Sequence, residues 1–138
     1  MKKKKIKFKW DYYNPNPYYV KGKKHVQGDC VVRAICKASG MDWFDVYDKL
    51  CEKGRKIGSF GNFRTVYPSV IEELGFKPVS VKREKGKKAL NVEMFCDEHP
   101  TGTFILRLAS HLTCVVDGVC YDTWYPQKQT LYKYWEKE

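Results

Sequence analysis

The chain lacks a long apolar run. None of its hydrophobic stretches approaches the roughly 20 residues that a membrane-spanning helix needs. Its first residues include several lysines but no apolar stretch behind them, so we expect no secretory signal peptide. Together these absences predict a cytoplasmic protein without a membrane partner.

Patterns of metal ligands are also missing. The sequence has six cysteines but no Cys-x-x-Cys pair, and none of its three histidines stands at zinc-ligand spacing from another ligand. We therefore predict neither a metal site nor a cofactor. Without a secretory signal, reduced thiols are a better expectation than disulfides.

Acidic residues are scarce at the start of the chain. Residues 1–24 contain nine basic residues and one acidic residue, a net charge of +8, which leaves +2 for the other 114 residues. Ile6, Phe8 and Trp10 alternate with lysines, and this pattern predicts a short edge strand that the lysines protect from pairing. We divide the chain into a basic aromatic arm (1–13) and one folded domain (14–138).

The arm is suited to single-stranded nucleic acid, because phosphates attract cations and bases stack on aromatic rings. The alternative is that the aromatic residues pack on the domain while the lysines only interact with water. If the arm binds nucleic acid, the lysines available for phosphate contacts are Lys2, Lys3, Lys4, Lys5, Lys7 and Lys9.

A central helix is predicted to begin at Cys30 and to stop at Gly40. Asp29 is the predicted N-cap, with its carboxylate accepting amides of the first turn. The apolar residues cover an arc of roughly 200°, too wide for a surface helix. Cys30 lies at the edge of this arc, where the helix dipole favours a thiolate. Asp29 opposes that effect, so the thiol needs a basic partner, and a lone cysteine here could equally be a small core residue.

Further helices are predicted from their caps and apolar periods. Residues 43–53 form a helix capped by Asp42 and stopped by Gly54, with a buried stripe. Residues 66–74 form a helix with Thr65 as its cap, and a short helix follows Asn91. The predicted stripe consists of Trp43, Val46, Tyr47 and Leu50.

Asp117-Gly118 stands between two runs of strand-forming residues, which is a strong signal for a hairpin with a two-residue turn. The resulting register makes His111 and Asp122 diagonal neighbours on one face, with Cβ atoms roughly 6–7 Å apart. That spacing suits a hydrogen bond from the imidazole to the carboxylate. Trp124 shares the face and could cover this bond. Strands are also predicted at residues 76–81, where Pro78 requires a sheet edge, and at 103–109 and 131–135.

A nucleophilic thiol needs a base, and the base needs an orienting group. The chain supplies Cys30 at the start of an early helix, His111 on a late strand and Asp122 on the next strand. In this order and on these elements it resembles the papain-like cysteine peptidase fold in its small microbial versions. Over residues 14–124 it is similar to bacteriocin-processing peptidase domains and to phage and gut-bacterial proteins that share GDCVVRAI and VVDG…YDTW.

This resemblance implies an α+β fold in which N-terminal helices pack on a C-terminal antiparallel sheet. It also implies that Cys30 is the nucleophile, His111 the general base and acid, and Asp122 the orienting group, in a bacterial cell or a phage-infected host cell. Papain-like enzymes have an oxyanion-hole glutamine about six residues before the cysteine, where this chain has Lys24.

The oxyanion hole needs two donors directed at the developing charge. The Cys30 amide is one candidate. Gln27 is the candidate for the second, with Asn16 or Asn14 behind it, although Gln27 could also be an ordinary loop residue.

The function predicted from these residues is that of a cysteine-dependent hydrolase, a peptidase or isopeptidase-like amidase. It would act on a protein or peptide through an acyl-thioester intermediate. An amine acceptor in place of water would make the same residues an acyltransferase. The alternative from another class is a non-enzymatic protein that binds nucleic acid or an acidic protein through the basic aromatic arm.

Overall fold

A computed structural model describes residues 7–23 and 28–138. Over these two ranges the chain has an α+β architecture of four helices and one six-stranded mixed sheet. The helices are α1 (Cys30–Ser39), α2 (Trp43–Ile57), α3 (Tyr67–Glu73) and α4 (Val92–Glu98). The strands are β1 (Lys9–Tyr12), β2 (Phe76–Ser80), β3 (Thr103–Leu108), β4 (His111–Val116), β5 (Val119–Asp122) and β6 (Lys133–Lys137).

The strands lie in the order β1-β5-β4-β3-β6-β2. β1 pairs with β5 in parallel, and the other neighbours pair antiparallel. Two apolar clusters result from the alternation of side chains along the strands. Ile105 and Leu112 pack in the cluster of α1, whereas Leu106 and Val115 pack in the cluster of α4. Seven of the ten residues of α1 are buried, so the predicted central helix is confirmed.

The hairpin has the predicted register. Val116 pairs with Val119, and Val115 pairs with Cys120. Asp117 and Gly118 both have positive φ angles, 48° and 77°, as a tight two-residue turn requires. The turn is anchored to the loop before β3, because the Gly102 backbone N–H donates to the Asp117 carboxylate at 2.9 Å.

The prediction that Gly54 ends α2 is wrong. The helix continues to Ile57, and Gly58 is its left-handed C-cap. The chain folds back over Gly54 after the cap, and a Cβ atom at this position would lie 2.3 Å from the Ser59 carbonyl oxygen. The glycine is therefore needed for a close backbone approach and does not mark the helix end.

Two smaller predictions about the helices also fail. Val46 and Leu50 are buried, but Tyr47 is 46% exposed, because it stacks on the outer side of Trp43 with ring centroids 5.1 Å apart. Thr65 does not cap α3. Val66 occupies the N-cap position, while the Thr65 hydroxyl donates to the Ser59 hydroxyl at 3.0 Å.

Two further strand predictions have different outcomes, one confirmed and one with a wrong first residue. β2, which contains Pro78, is an edge strand as predicted. The last strand begins two residues later than predicted, because Leu131 is buried in the α4 cluster and its backbone N–H donates to the Leu90 carbonyl.

The N-terminal edge strand is confirmed for Lys9–Tyr12, and this part of the predicted arm therefore belongs to the sheet. The Trp10 ring stacks on Tyr125 at 4.2 Å, and its indole N–H donates to the Trp124 carbonyl at 2.9 Å. Among the lysines proposed for nucleic acid, residues 2–5 lie outside the described ranges. No helix within those ranges has the length and apolar character to span a bilayer.

Candidate active site

Three element ends meet at the candidate site. Cys30 is the first residue of α1, His111 the first of β4 and Asp122 the last of β5. The two-residue turn of the hairpin sets His111 beside Asp122, and the packing of α1 on β4 brings the start of the helix to the same place. The tertiary structure thus brings together the three residues that the sequence proposed as catalytic.

His111 and Asp122 are directly hydrogen-bonded, with 2.6 Å between Nε2 and Oδ2. The Asp122 side chain is almost fully buried, and its other oxygen accepts the Thr123 backbone N–H at 2.7 Å. The Trp124 ring lies 4.9 Å from the imidazole, centroid to centroid, and is 40% exposed. Trp124 is therefore in contact range of the imidazole, and its predicted role as a cover of the His111–Asp122 bond stays a prediction.

Cys30 lies beside His111 in the lining of one cleft, and interactions with the His111 side chain and the Leu112 backbone N–H lower the pKa of its thiol. Because Nε2 is occupied by Asp122, Nδ1 is the ring nitrogen available to the thiol. The imidazole thus interacts with the thiol and is hydrogen-bonded to the carboxylate.

Burial disfavours the charged form of each of these three groups, but their mutual contacts outweigh it. Burial acts to raise the pKa of Cys30, yet the hydrogen bonds from His111 and Leu112 and the charges of His111 and Arg33 hold that pKa below its usual value. Burial acts to lower the pKa of His111, but Asp122 and Cys30 raise it to about 9. The pKa of Asp122 is lowered by His111 against the effect of burial. These directions favour the charged form of each group, namely the thiolate, the imidazolium and the carboxylate.

The other cysteines differ from Cys30. Burial raises the pKa of Cys36 and of Cys96 to about 12, and it also raises the pKa values of Cys114 and Cys120. Those four side chains are buried, whereas Cys51 is exposed on α2. The six free thiols therefore consist of four buried ones, an exposed one and the candidate nucleophile.

Asp29 has a different role from the one predicted. It occupies the N-cap position of α1, but its carboxylate accepts no hydrogen bond from the first turn. The oxygens instead accept from the Arg33 guanidinium at 2.5 Å and from Asn16 and Trp43 at 3.1 Å. A buried guanidinium one turn along the helix is a stronger partner for the carboxylate than a backbone amide, so Asp29 turns away from the helix end.

Arg33 is a member of the site that the sequence reasoning missed. Its guanidinium is buried between Asp29 and Asp122, 3.6 Å from an oxygen of the latter. The available signal was a basic residue four positions after Asp29, a spacing at which two side chains on a helix are neighbours. Arg33 joins the helix that bears the thiol to the strand that bears the orienting carboxylate.

The candidate site opens into a cleft of about 670 Å³. Its lining includes Cys30 and His111, the loop before α3, Tyr67, the turn between β3 and β4, and Tyr132. The half-buried Cys30 side chain is therefore open to solvent through this cleft.

The second oxyanion-hole donor stays a prediction. Gln27 lies outside the described residues. The Asn16 amide N–H₂ is held by Asp29 at 3.1 Å, and the Asn14 side-chain oxygen accepts the Asn16 backbone N–H at 3.2 Å. Both asparagines thus serve the loop in front of α1. Among the side chains that the structure describes, no group of three or more histidines, cysteines and acids is arranged to hold a metal ion.

Comparisons of the chain with protein-family models, with curated proteins and with solved structures find no match. The similarity to papain-like peptidases therefore rests on the motifs in the sequence.

Proposed function

We propose that this protein is a cysteine-dependent hydrolase of the papain-like type, which cleaves an amide or thioester bond through an acyl-enzyme. The observation that carries the proposal is the position of the Cys30 thiol beside His111 in one cleft, with the imidazole held by Asp122 at 2.6 Å. A buried structural cysteine needs no such arrangement. The lowered pKa of Cys30 and the cleft in front of it support the same conclusion.

In the first half of the reaction, the Cys30 thiolate attacks the substrate carbonyl carbon and forms a sulfur–carbon bond. The carbonyl oxygen becomes an oxyanion, which the Cys30 backbone N–H, at the positive end of α1, is placed to stabilise. His111 then gives its proton to the leaving amine as the carbon–nitrogen bond breaks. The product of this half is an acyl thioester on Cys30.

In the second half, neutral His111 takes a proton from a water molecule, whose oxygen attacks the thioester carbonyl. The sulfur–carbon bond breaks, the acid product leaves, and the thiolate and imidazolium are restored. Asp122 keeps the imidazole in one orientation and stabilises its charged form throughout. Transfer to an amine instead of water follows the same steps and gives an acyltransferase.

The proposal is tested by treating a denatured bacterial cell extract with the wild type, with Cys30→Ala and with the matched control Cys51→Ala. New peptide N-termini are then identified by mass spectrometry. We expect them with the wild type and with Cys51→Ala but not with Cys30→Ala, whereas an acyltransferase would produce acyl additions on amines. If neither new N-termini nor acyl additions depend on Cys30, the proposal is wrong.

A further inference from the structure

The cleft in front of Cys30 is lined by positive charge. Arg64, in the loop before α3, and Arg107, on β3, both face it, and its lining contains no aspartate or glutamate. Arg64 is exposed and Arg107 half-buried. We call these two residues the arginine wall.

Neither guanidinium of the arginine wall forms an ion pair with a carboxylate of the described residues, although Arg33 and several lysines do. The wall therefore has hydrogen-bond donors and charge that the folded chain itself does not use.

Tyr67 connects the arginine wall with the nucleophile. Its side chain is buried in the same cleft, beneath the loop that carries Arg64. Burial raises the pKa of Tyr67, the charges of Arg107 and Arg64 counteract this in part, and Cys30 raises it further. Both guanidinium groups and the sulfur thus act on a single hydroxyl group, which indicates that they are close in space.

We infer that the arginine wall binds a carboxylate of the substrate next to the scissile carbonyl. The substrate class is then a peptide with an acidic side chain, or a free C-terminal carboxylate, beside the bond that is cleaved. Arginine suits this role because its planar guanidinium can donate two parallel hydrogen bonds to a carboxylate. The inference rests on the proposed function, since it takes Cys30 as the nucleophile.

Two alkylating reagents of similar size but different charge test the wall without a known substrate. Iodoacetate and iodoacetamide both alkylate the thiolate, with a sulfur–carbon bond formed and iodide lost. Only iodoacetate carries a carboxylate. The rates at Cys30 are measured in a Cys51→Ser background, which removes the other exposed thiol. The variants are Arg64→Gln and Arg107→Gln. The matched control is Arg55→Gln, which removes an equal charge from the last turn of α2, outside the cleft lining.

We expect each wall variant to lower the ratio of the iodoacetate rate to the iodoacetamide rate by roughly threefold to tenfold, because one nearby charge is removed. The iodoacetamide rate should stay within about twofold, since the thiolate and His111 are unchanged. It also reports whether the variant has folded. Arg55→Gln should leave the ratio at its original value.

The two sources of carboxylate are separated by protection of Cys30 from iodoacetamide. N-acetylglutamate α-amide offers only a side-chain carboxylate, and N-acetylglutamine offers only a terminal one. Greater protection by the first indicates an acidic residue, greater protection by the second indicates a chain terminus, and equal protection indicates that either source is bound. Protection should weaken in Arg107→Gln.

The inference is overturned if the ratio of the iodoacetate rate to the iodoacetamide rate is the same in Arg64→Gln, Arg107→Gln and Arg55→Gln, or if neither acid protects Cys30. Rapid labelling of Cys30 by iodoacetamide would in that case leave the proposed function intact. Slow labelling of Cys30 by both reagents in the wild type overturns the proposed function and the inference with it.

Discussion

At the residue scale, the chemistry of the site depends on the balance between burial and contact at Cys30. Burial alone would make this thiol as inert as Cys36 or Cys96, whose pKa values are raised to about 12. The difference comes from its neighbours, because interactions with His111 and the Leu112 backbone N–H lower the pKa of Cys30. The reactivity of the thiol is therefore a property of its partners.

The first prediction concerns this reactivity. At pH 7 iodoacetamide should label Cys30 faster than any other cysteine, and His111→Asn should slow the labelling by about tenfold or more, because each unit by which the thiol pKa rises above the pH removes about nine-tenths of the thiolate. Rates are read by peptide mass spectrometry. Cys51, which is exposed and remote from the cleft lining, is the internal control and should keep its rate. Equal rates at Cys30 and Cys51 in the wild type would contradict the assignment.

The second prediction concerns pH. The pKa of His111 is raised to about 9, so the imidazolium that protonates the leaving amine is present below that pH and lost above it. The rate constant kcat/KM for an amide substrate should therefore fall as pH rises through about 9, and on the acid side it should fall as Cys30 gains a proton. Because the two groups are coupled, both limbs belong to the pair.

Alkylation of Cys30 by iodoacetamide supplies the comparison for this pH profile, since alkylation needs the thiolate and no acid. Its rate should show the acid limb but no decline above pH 9. A decline of alkylation on the alkaline side would mean that the protein unfolds there, and an amide reaction without an alkaline limb would exclude His111 as the general acid.

At the scale of elements, the site depends on how α1 is attached to the hairpin. Arg33 contacts Asp29 before the helix and Asp122 at the end of β5. A buried ion pair costs desolvation to form, but removing one partner leaves the other charge buried without compensation. The network thus sets the distance between the thiol and its base. The loss of any one of its charged side chains would destabilise the core.

The third prediction is that Arg33→Met lowers the free energy of unfolding by about 3 kcal/mol, because Asp29 and Asp122 lose a buried counter-charge. Urea unfolding followed by tryptophan fluorescence measures this change. The matched control is Lys56→Met on α2, which breaks the exposed pair with Glu52 and should have little effect. Equal effects of the two variants would show that Arg33 contributes no more than a surface charge.

The fourth prediction, also about elements, is that Gly54→Ala destabilises the protein by about 1–3 kcal/mol, as overpacking does in a tight site. The added methyl would meet the Ser59 carbonyl at 2.3 Å, in spite of the better helix propensity of alanine. Ser39→Ala, in the last turn of α1, is a useful comparison because it adds no atom and only removes the hydroxyl's hydrogen bonds to the Ile35 carbonyl and the Met41 backbone N–H. Stabilisation by Gly54→Ala would contradict the close approach of the Ser59 backbone to this position.

At the scale of the whole molecule, charge is unevenly distributed, with +8 in residues 1–24 and +2 in the rest. None of the proposed catalytic residues lies in the first part. The aromatic residues of β1 contribute to packing, since Trp10 stacks on Tyr125, so in this region the structure supports the packing interpretation of the aromatic residues.

The fifth prediction is that deleting residues 1–5 leaves the unfolding transition and Cys30 labelling nearly unchanged, because no residue of the described sheet is removed. Binding to oligo-dT or to polyglutamate should weaken, and the difference from the intact chain should shrink as salt rises. Fluorescence anisotropy measures both. Loss of thiol reactivity would make the segment part of the scaffold, and unchanged binding at low salt would remove the main support for a nucleic-acid-binding function.

The sequence by itself determined the features that depend on a few neighbouring residues. The Asp117-Gly118 turn has one favoured geometry, and the period of two along β4 and β5 then places His111 next to Asp122. The end of α1 follows in the same way from Gly40, which takes the left-handed conformation of a C-cap. Such local rules are sufficient because the backbone has few alternatives at a tight turn or a helix end.

Only the tertiary structure decided what depends on segments far apart in the chain. Asp29 turned to Arg33, Asn16 and Trp43 because packing brought those donors to it, and Gly54 stayed helical because a later loop folded over it. The approach of Cys30 to His111 likewise needs α1 to lie on β4, eighty residues away in the chain. Periodicity states which face of an element is apolar, but the partner of that face is chosen by the packing of the whole core.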